Sequence, residues 1–138
     1  MKYLLDASSL MLLIKKSDVK LTVECLRDSL ILDLTFYEVG NAVWKESALL
    51  KFLTPEETKR IGTMTQTVLA TIDQVTNEGE DFQKILEIAQ DEKLSFYDSS
   101  YVFFAKQRGL PLVTEDKKLE LKAKKHVAVR TLATLFSQ

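Results

Sequence analysis

Apolar residues along this chain alternate between two rhythms: short unbroken runs, and longer stretches in which they recur every three or four positions. The first run, Tyr3-Leu4-Leu5, predicts a buried strand that stops at Asp6. Ser8 or Ser9 can cap a helix reaching about Lys16, with Leu10, Leu13 and Ile14 turned inward. Ser17 or Asp18 can cap a second helix with Val19, Val23 and Leu26 on one face. Leu30-Ile31-Leu32-Asp33-Leu34 then predicts a strand ending at Thr35.

From Phe36 to about Phe52 the spacing is helical, with Val39, Ala42, Val43, Leu49 and Leu50 apolar. Thr54-Pro55-Glu56-Glu57 supplies an N-cap, a proline at the first helical position and a capping-box acid, so a long helix to about Val75 follows. Asn77-Glu78-Gly79 breaks it, and Phe82, Ile85, Leu86 and Ala89 mark another amphipathic helix. One more starts at Ser95 and ends at Gly109, with Pro111 just beyond. Leu112-Val113-Thr114 is a third strand, Lys117 to Lys125 a short polar helix, Val127-Ala128-Val129 a fourth strand, and Leu132 to Phe136 a final turn. Strands separated by helices imply parallel crossovers, hence an α/β fold.

At 138 residues with no linker, repeat or composition break, residues 1–138 are expected to form a single domain. With 46% hydrophobic and 28% charged residues, four Gly and two Pro, disordered and low-complexity classes fall away. Nineteen Lys plus Arg against 20 Asp plus Glu leave a net charge of −1, so any nucleic-acid contact must come from a local patch. Cys25 and His126 are the single residues of their kinds, which excludes Cys-rich and His-rich metal sites and leaves oxygen ligands for any metal. The amino terminus lacks the long apolar stretch of a signal peptide, and no run approaches membrane-spanning length, so no membrane association and a cytoplasmic location are expected.

Four acids recur at strand ends and helix starts. Asp6 ends the first strand, Glu38 opens the helix after the second, Asp98 opens the helix before the third, and Asp116 follows the third strand. Each alone is an ordinary helix-start acid: Thr35-x-x-Glu38 fits a capping box, Ser95-x-x-Asp98 resembles one, and Asp116 can cap the next helix. Open parallel sheets gather such positions at the carboxyl ends of their strands, and four carboxylates meeting there without matching cations would repel one another. A divalent cation resolves the repulsion. Mg²⁺ and Mn²⁺ accept carboxylate oxygens, and a phosphate ester is the implied substrate.

Leu4-Leu5-Asp6-Ala7-Ser8, Tyr37 to Lys45 (Tyr-Glu-Val-Gly-Asn-Ala-Val-Trp-Lys), Tyr97-Asp98-Ser99-Ser100-Tyr101 and Pro111-Leu112-Val113-Thr114-Glu115-Asp116 carry a resemblance nearly end to end. In that order they resemble the motifs of the PIN-domain nucleases, and in particular the VapC-type toxins of toxin–antitoxin pairs. The resemblance implies a PIN-like three-layer sandwich, with a mostly parallel sheet of four or five short strands flanked by helices. It also implies a metal-dependent endoribonuclease in which Asp6, Glu38, Asp98 and Asp116 hold one or two Mg²⁺ or Mn²⁺ ions. Asp6 and Asp98 are then the central ligands. Glu38 ligates or orients the attacking water, and Asp116 serves a second metal or acts through water.

Around these acids, Ser8 and Thr114 can hydrogen-bond the carboxylates, with plain capping as the alternative. Asn41 and Lys45 follow Glu38 on one helix face, where Asn41 can steady Glu38 or substrate and Lys45 can meet a phosphate or remain solvated. Lys117, Lys118, Lys122, Lys124, Lys125 and Arg130 form the one basic segment, fit for an RNA backbone or for plain solvation. The implied partners are an RNA substrate, a cognate antitoxin lying along an apolar groove beside the acids, and a second copy in a homodimer. The alternatives are a PIN nuclease of RNA processing or decay without an antitoxin, and a catalytically silent PIN-like binding module. A phosphatase with Asp6 as nucleophile is disfavoured because Ala7-Ser8 brings no second acid.

Overall fold

The computed structural model describes residues 2–16 and 19–136. Its five strands, β1 (Tyr3–Leu5), β2 (Ser29–Leu32), β3 (Asp73–Val75), β4 (Leu112–Val113) and β5 (Val129–Arg130), form one parallel sheet in the order β3-β2-β1-β4-β5. The helices between them are α1 (Ala7–Lys16), α2 (Val19–Cys25), α3 (Asp33–Trp44), α4 (Pro55–Thr71), α5 (Phe82–Glu92), α6 (Phe96–Arg108), α7 (Lys117–Ala123) and α8 (Leu132–Phe136).

Period-two alternation along the strands builds the two cores. Leu4, Leu30, Leu32 and Leu112 point to one face and pack with Ile85, Val102, Phe104 and Leu119 of α5, α6 and α7. Leu5, Ile31 and Val113 point to the other and pack with Leu10, Ile14, Val39, Ile61 and Val68 of α1, α3 and α4. Both faces are covered, as a parallel sheet requires, and the expected three-layer α/β sandwich results.

The structure departs from the sequence pattern at two places that matter. The second strand ends at Leu32, and Asp33, Leu34 and Thr35 already belong to α3. Asp33 Oδ1 accepts from Leu34 N–H at 2.9 Å and Thr35 Oγ1 from Leu32 N–H at 3.2 Å, so local side chains satisfy the orphan donors and start the helix early. Thr35 therefore sits inside the first turn and is not the cap of a capping box with Glu38. The long helix, capped by Thr54 and Glu57 as its sequence suggests, stops at Thr71, and the chain re-enters the sheet as β3. β3 pairs with β2 through Leu30↔Asp73 and Leu32↔Val75. Ser17 and Asp18, the expected cap of α2, and the side chain of Val19 lie outside the described residues.

Candidate active site

The sheet order changes direction at β1, so the crevice between the carboxyl ends of β1 and β4 is where an open α/β sheet binds ligands. Asp6 stands there, 5% exposed, with its N–H tied to Val113 O at 3.1 Å. Its carboxylate caps α1 in place of Ser8 or Ser9: Oδ1 accepts from Ser9 N–H at 2.9 Å and from Ser8 Oγ at 2.7 Å. Thr114 Oγ1 donates to Oδ2 at 2.5 Å across 108 residues of sequence.

Thr114 and Ser8 also organise the strand that brings Asp116. Thr114 is 1% exposed, and its Oγ1 accepts from Asp116 N–H at 3.1 Å; Ser8 Oγ accepts from Glu115 N–H at 3.2 Å. Asp116 Oδ1 then caps α7 through Lys118 N–H (2.9 Å) and Leu119 N–H (3.1 Å). Its neighbour Glu115 turns away to accept Leu132 N–H at 2.7 Å. Thr114→Val removes Asp6's buried donor and Asp116's acceptor together. It is expected to cost about 1–3 kcal/mol, read as a lower urea midpoint; a change under about 0.5 kcal/mol would show that this hydroxyl is not structural.

Glu38 and Asp98 complete the edge from α3 and α6. Ser95 caps α6 through Asp98 N–H at 3.0 Å, and Tyr101, one turn on, donates its hydroxyl proton to Glu38 Oε1 at 2.7 Å. Burial pushes the Asp6 carboxyl above its ordinary value against the pull of its three donors. Glu38 is pushed up by burial first and then by the charges of Asp98 and Asp6, and Asp98 by burial and then by Asp116 and Asp6. Asp98 thus lies within reach of the charges of Asp116 and Asp6, and Glu38 within reach of those of Asp98 and Asp6, and none of the four acids has an ion-pair partner among the described residues.

As they stand, the acids are turned to their own hydrogen bonds, and among the described residues no three His, Cys, Asp or Glu side chains close into a metal-holding group. The donor set nevertheless suits a hard divalent cation: oxygen only, negative, at least half-buried at Asp6, Glu38 and Asp98, and without a salt-bridge partner among the described residues. Asn41 and Lys45 are exposed on α3 and at the start of the π-helical turn Lys45–Leu49, and neither bonds to Glu38, whose partner is Tyr101. The basic segment is partly engaged: Lys125 pairs with Glu92 at 3.0 Å, Lys122 Nζ donates to Lys93 O, and the charge of Lys118 reaches Asp98. Phe103 and Phe104 are core, whereas Phe36, Tyr37, Trp44 and Phe52 are exposed. The sequence marks Thr35 only as a helix cap and Tyr101 only as part of the Tyr97–Tyr101 motif; Tyr101's position one turn after Asp98 was the available signal of a role at the site.

A relative from Pyrobaculum aerophilum, named Exonuclease VapC9, is 35% identical over 131 residues that span 95% of this chain and 92% of the relative. The chain belongs to the VapC family. It is a PIN-domain nuclease toxin of a toxin–antitoxin system. The crystal structure of PAE2754 from the same organism superposes on this VapC chain with a TM-score of 0.79 at 29% identity, covering 100% of both chains. FitAcB from Neisseria gonorrhoeae shares the fold, with a TM-score of 0.58 at 18% identity over 94% of this chain and 96% of its own. No family model matches the chain. No helix among the described residues is long and apolar enough to cross a membrane.

Proposed function

We propose that this VapC protein is a Mg²⁺- or Mn²⁺-dependent endoribonuclease, with Asp6, Glu38, Asp98 and Asp116 as its metal-binding catalytic acids. One observation carries the reading: at the sheet's carboxyl edge Asp98 is under the charges of Asp6 and Asp116, and Glu38 under those of Asp6 and Asp98, with no salt bridge to any of the four acids among the described residues. One or two bound divalent ions supply the activated water and the charge needed to hydrolyse a phosphodiester. In this reading Asp6 is the fixed ligand, since Ser8, Ser9 and Thr114 hold its carboxylate in one orientation. Asp98, on α6, would be the second central ligand, Glu38, on α3, would ligate or orient the attacking water, and Asp116, before α7, would serve a second metal or act through water. Lys118, whose charge reaches Asp98, and Lys45, exposed just after α3, would meet phosphates of the RNA strand.

The same reading gives the partners. A groove of about 720 Å³ between α3 and α4, lined by Phe36, Val39, Gly40, Val43, Gly62 and Leu69, begins two residues from Glu38 and suits an apolar antitoxin segment. Exposed Trp44, Leu49, Leu50 and Phe52 form a second apolar surface suited to another copy of the chain.

Covalently closed RNA circles and the same RNA in linear form, incubated with Mn²⁺, Mg²⁺ or EDTA, test the chemistry and the mode of cutting together. Opening of the circles that needs metal is the expected result. Circles that survive while linear RNA shortens from one end would make the enzyme an exonuclease, the word in its relative's name. Opening that persists in EDTA would remove the metal.

A further inference from the structure

One buried phenol stands behind the acid edge. Tyr101 is 1% exposed, and its hydroxyl lies 2.7 Å from Glu38 Oε1 and 2.7 Å from Thr35 Oγ1; Thr35 is itself fully buried. The proton inventory fixes the direction of each bond. An ionised Glu38 only accepts, so Tyr101 gives it its single proton. Thr35 must then donate to the Tyr101 oxygen while it accepts Leu32 N–H at 3.2 Å. The reverse order would press two acceptor oxygens together at 2.7 Å.

We propose that Tyr101 is the positioning residue for Glu38: its hydroxyl, held from behind by Thr35, keeps the Glu38 carboxylate on the acid edge. A glutamate has three rotatable bonds, and the neighbouring Tyr37, 72% exposed, shows how open this part of α3 is to water. The phenol ring is packed in the core with Val102 and Phe104, so the donor cannot follow Glu38 outward. A neutral donor also suits the task better than a lysine would. It fixes the carboxylate's direction and leaves its charge available to a cation.

This inference rests on the metal-nuclease reading, and its test separates the two. Mn²⁺ affinity by calorimetry, with kcat and KM on RNA, is measured for wild type, Tyr101→Phe, Glu38→Ala and the double variant. Tyr101→Phe is expected to weaken Mn²⁺ binding about 10-fold and to lower kcat with KM little changed. In the Glu38→Ala background it should alter neither quantity, because a residue acting through Glu38 has nothing left to act on. Equal losses in both backgrounds, or no loss in either, would overturn the role. Should Tyr101→Phe fail to fold, Thr35→Val leaves the phenol in place and loosens its hold. It should shift Mn²⁺ affinity in the same direction, with Thr35→Ser retaining more affinity, and wild-type affinity in Thr35→Val would overturn the proposal. A wild type that neither binds Mn²⁺ nor cleaves RNA would instead sink the nuclease reading on which this one stands.

Discussion

Asp98→Asn is expected to lower cleavage about 100- to 1000-fold and, in the same preparation, to raise the melting temperature by about 3 °C. The substitution keeps the side chain's shape and leaves Ser95's bond to the residue 98 N–H intact, so α6 still starts where it does. What disappears is one negative charge from an edge shared with Asp6 and Asp116. Two effects oppose the stability gain, since an acid in the first turn of a helix is favoured by the macrodipole by about 0.3–1 kcal/mol and Lys118 attracts it. The carboxyl is nevertheless pushed above its ordinary value, so burial and like charges win, and the neutral amide is the better-tolerated group. On the proposed function, activity needs the charge that folding resists. Single-turnover cleavage beside calorimetry reads both quantities, and a loss of activity that came with an equal loss of stability would show only a damaged fold.

The acids were legible because each occupies a position that sequence marks directly, the end of an apolar run or the first turn of a helix. What sequence could not give was how each is held. Asp6 caps α1 itself, which its place at the end of a strand concealed, and its strongest donor, Thr114, is 108 residues away. Thr35 and Tyr101 are 66 residues apart, and the one local pattern at Thr35, a capping box with Glu38, points to the wrong partner. β3 escaped notice because Ile72 and Val75 keep helical spacing after α4, Asp73 and Gln74 are exposed, and no Gly or Pro marks the change. The apparent strand through Leu34 has the matching cause: Leu34 continues the alternation of Leu30 and Leu32, yet packs against the same core from the first turn of a helix. Asn41 and Lys45 show the limit of helical spacing, which gives a face and not a bond.

Mn²⁺ is expected to raise the melting temperature of the wild type by about 5–10 °C at pH 7.5 when present at about 100 times its dissociation constant, and hardly at all near pH 4. The sign follows from the carboxyls. Asp6, Glu38 and Asp98 all have folded values above their ordinary 3.8, 4.5 and 3.8, so the folded state holds protons more tightly than the unfolded chain does. Their contribution to stability is therefore fully present below those ordinary values and is lost as pH rises through the raised ones. Above that window the protein carries an ionised, mutually repelling cluster, and a divalent cation meets it in the state that binds best. Below it, protons already occupy the oxygens and the metal must displace them. Asp98→Asn has one titrating group fewer, so its stability advantage over metal-free wild type should widen from about pH 4 upward and shrink once Mn²⁺ is added. Melting curves of EDTA-stripped protein across that range, with and without Mn²⁺, check every part of this. A metal-induced shift as large near pH 4 as at pH 7.5 would mean that Mn²⁺ binds somewhere other than these acids.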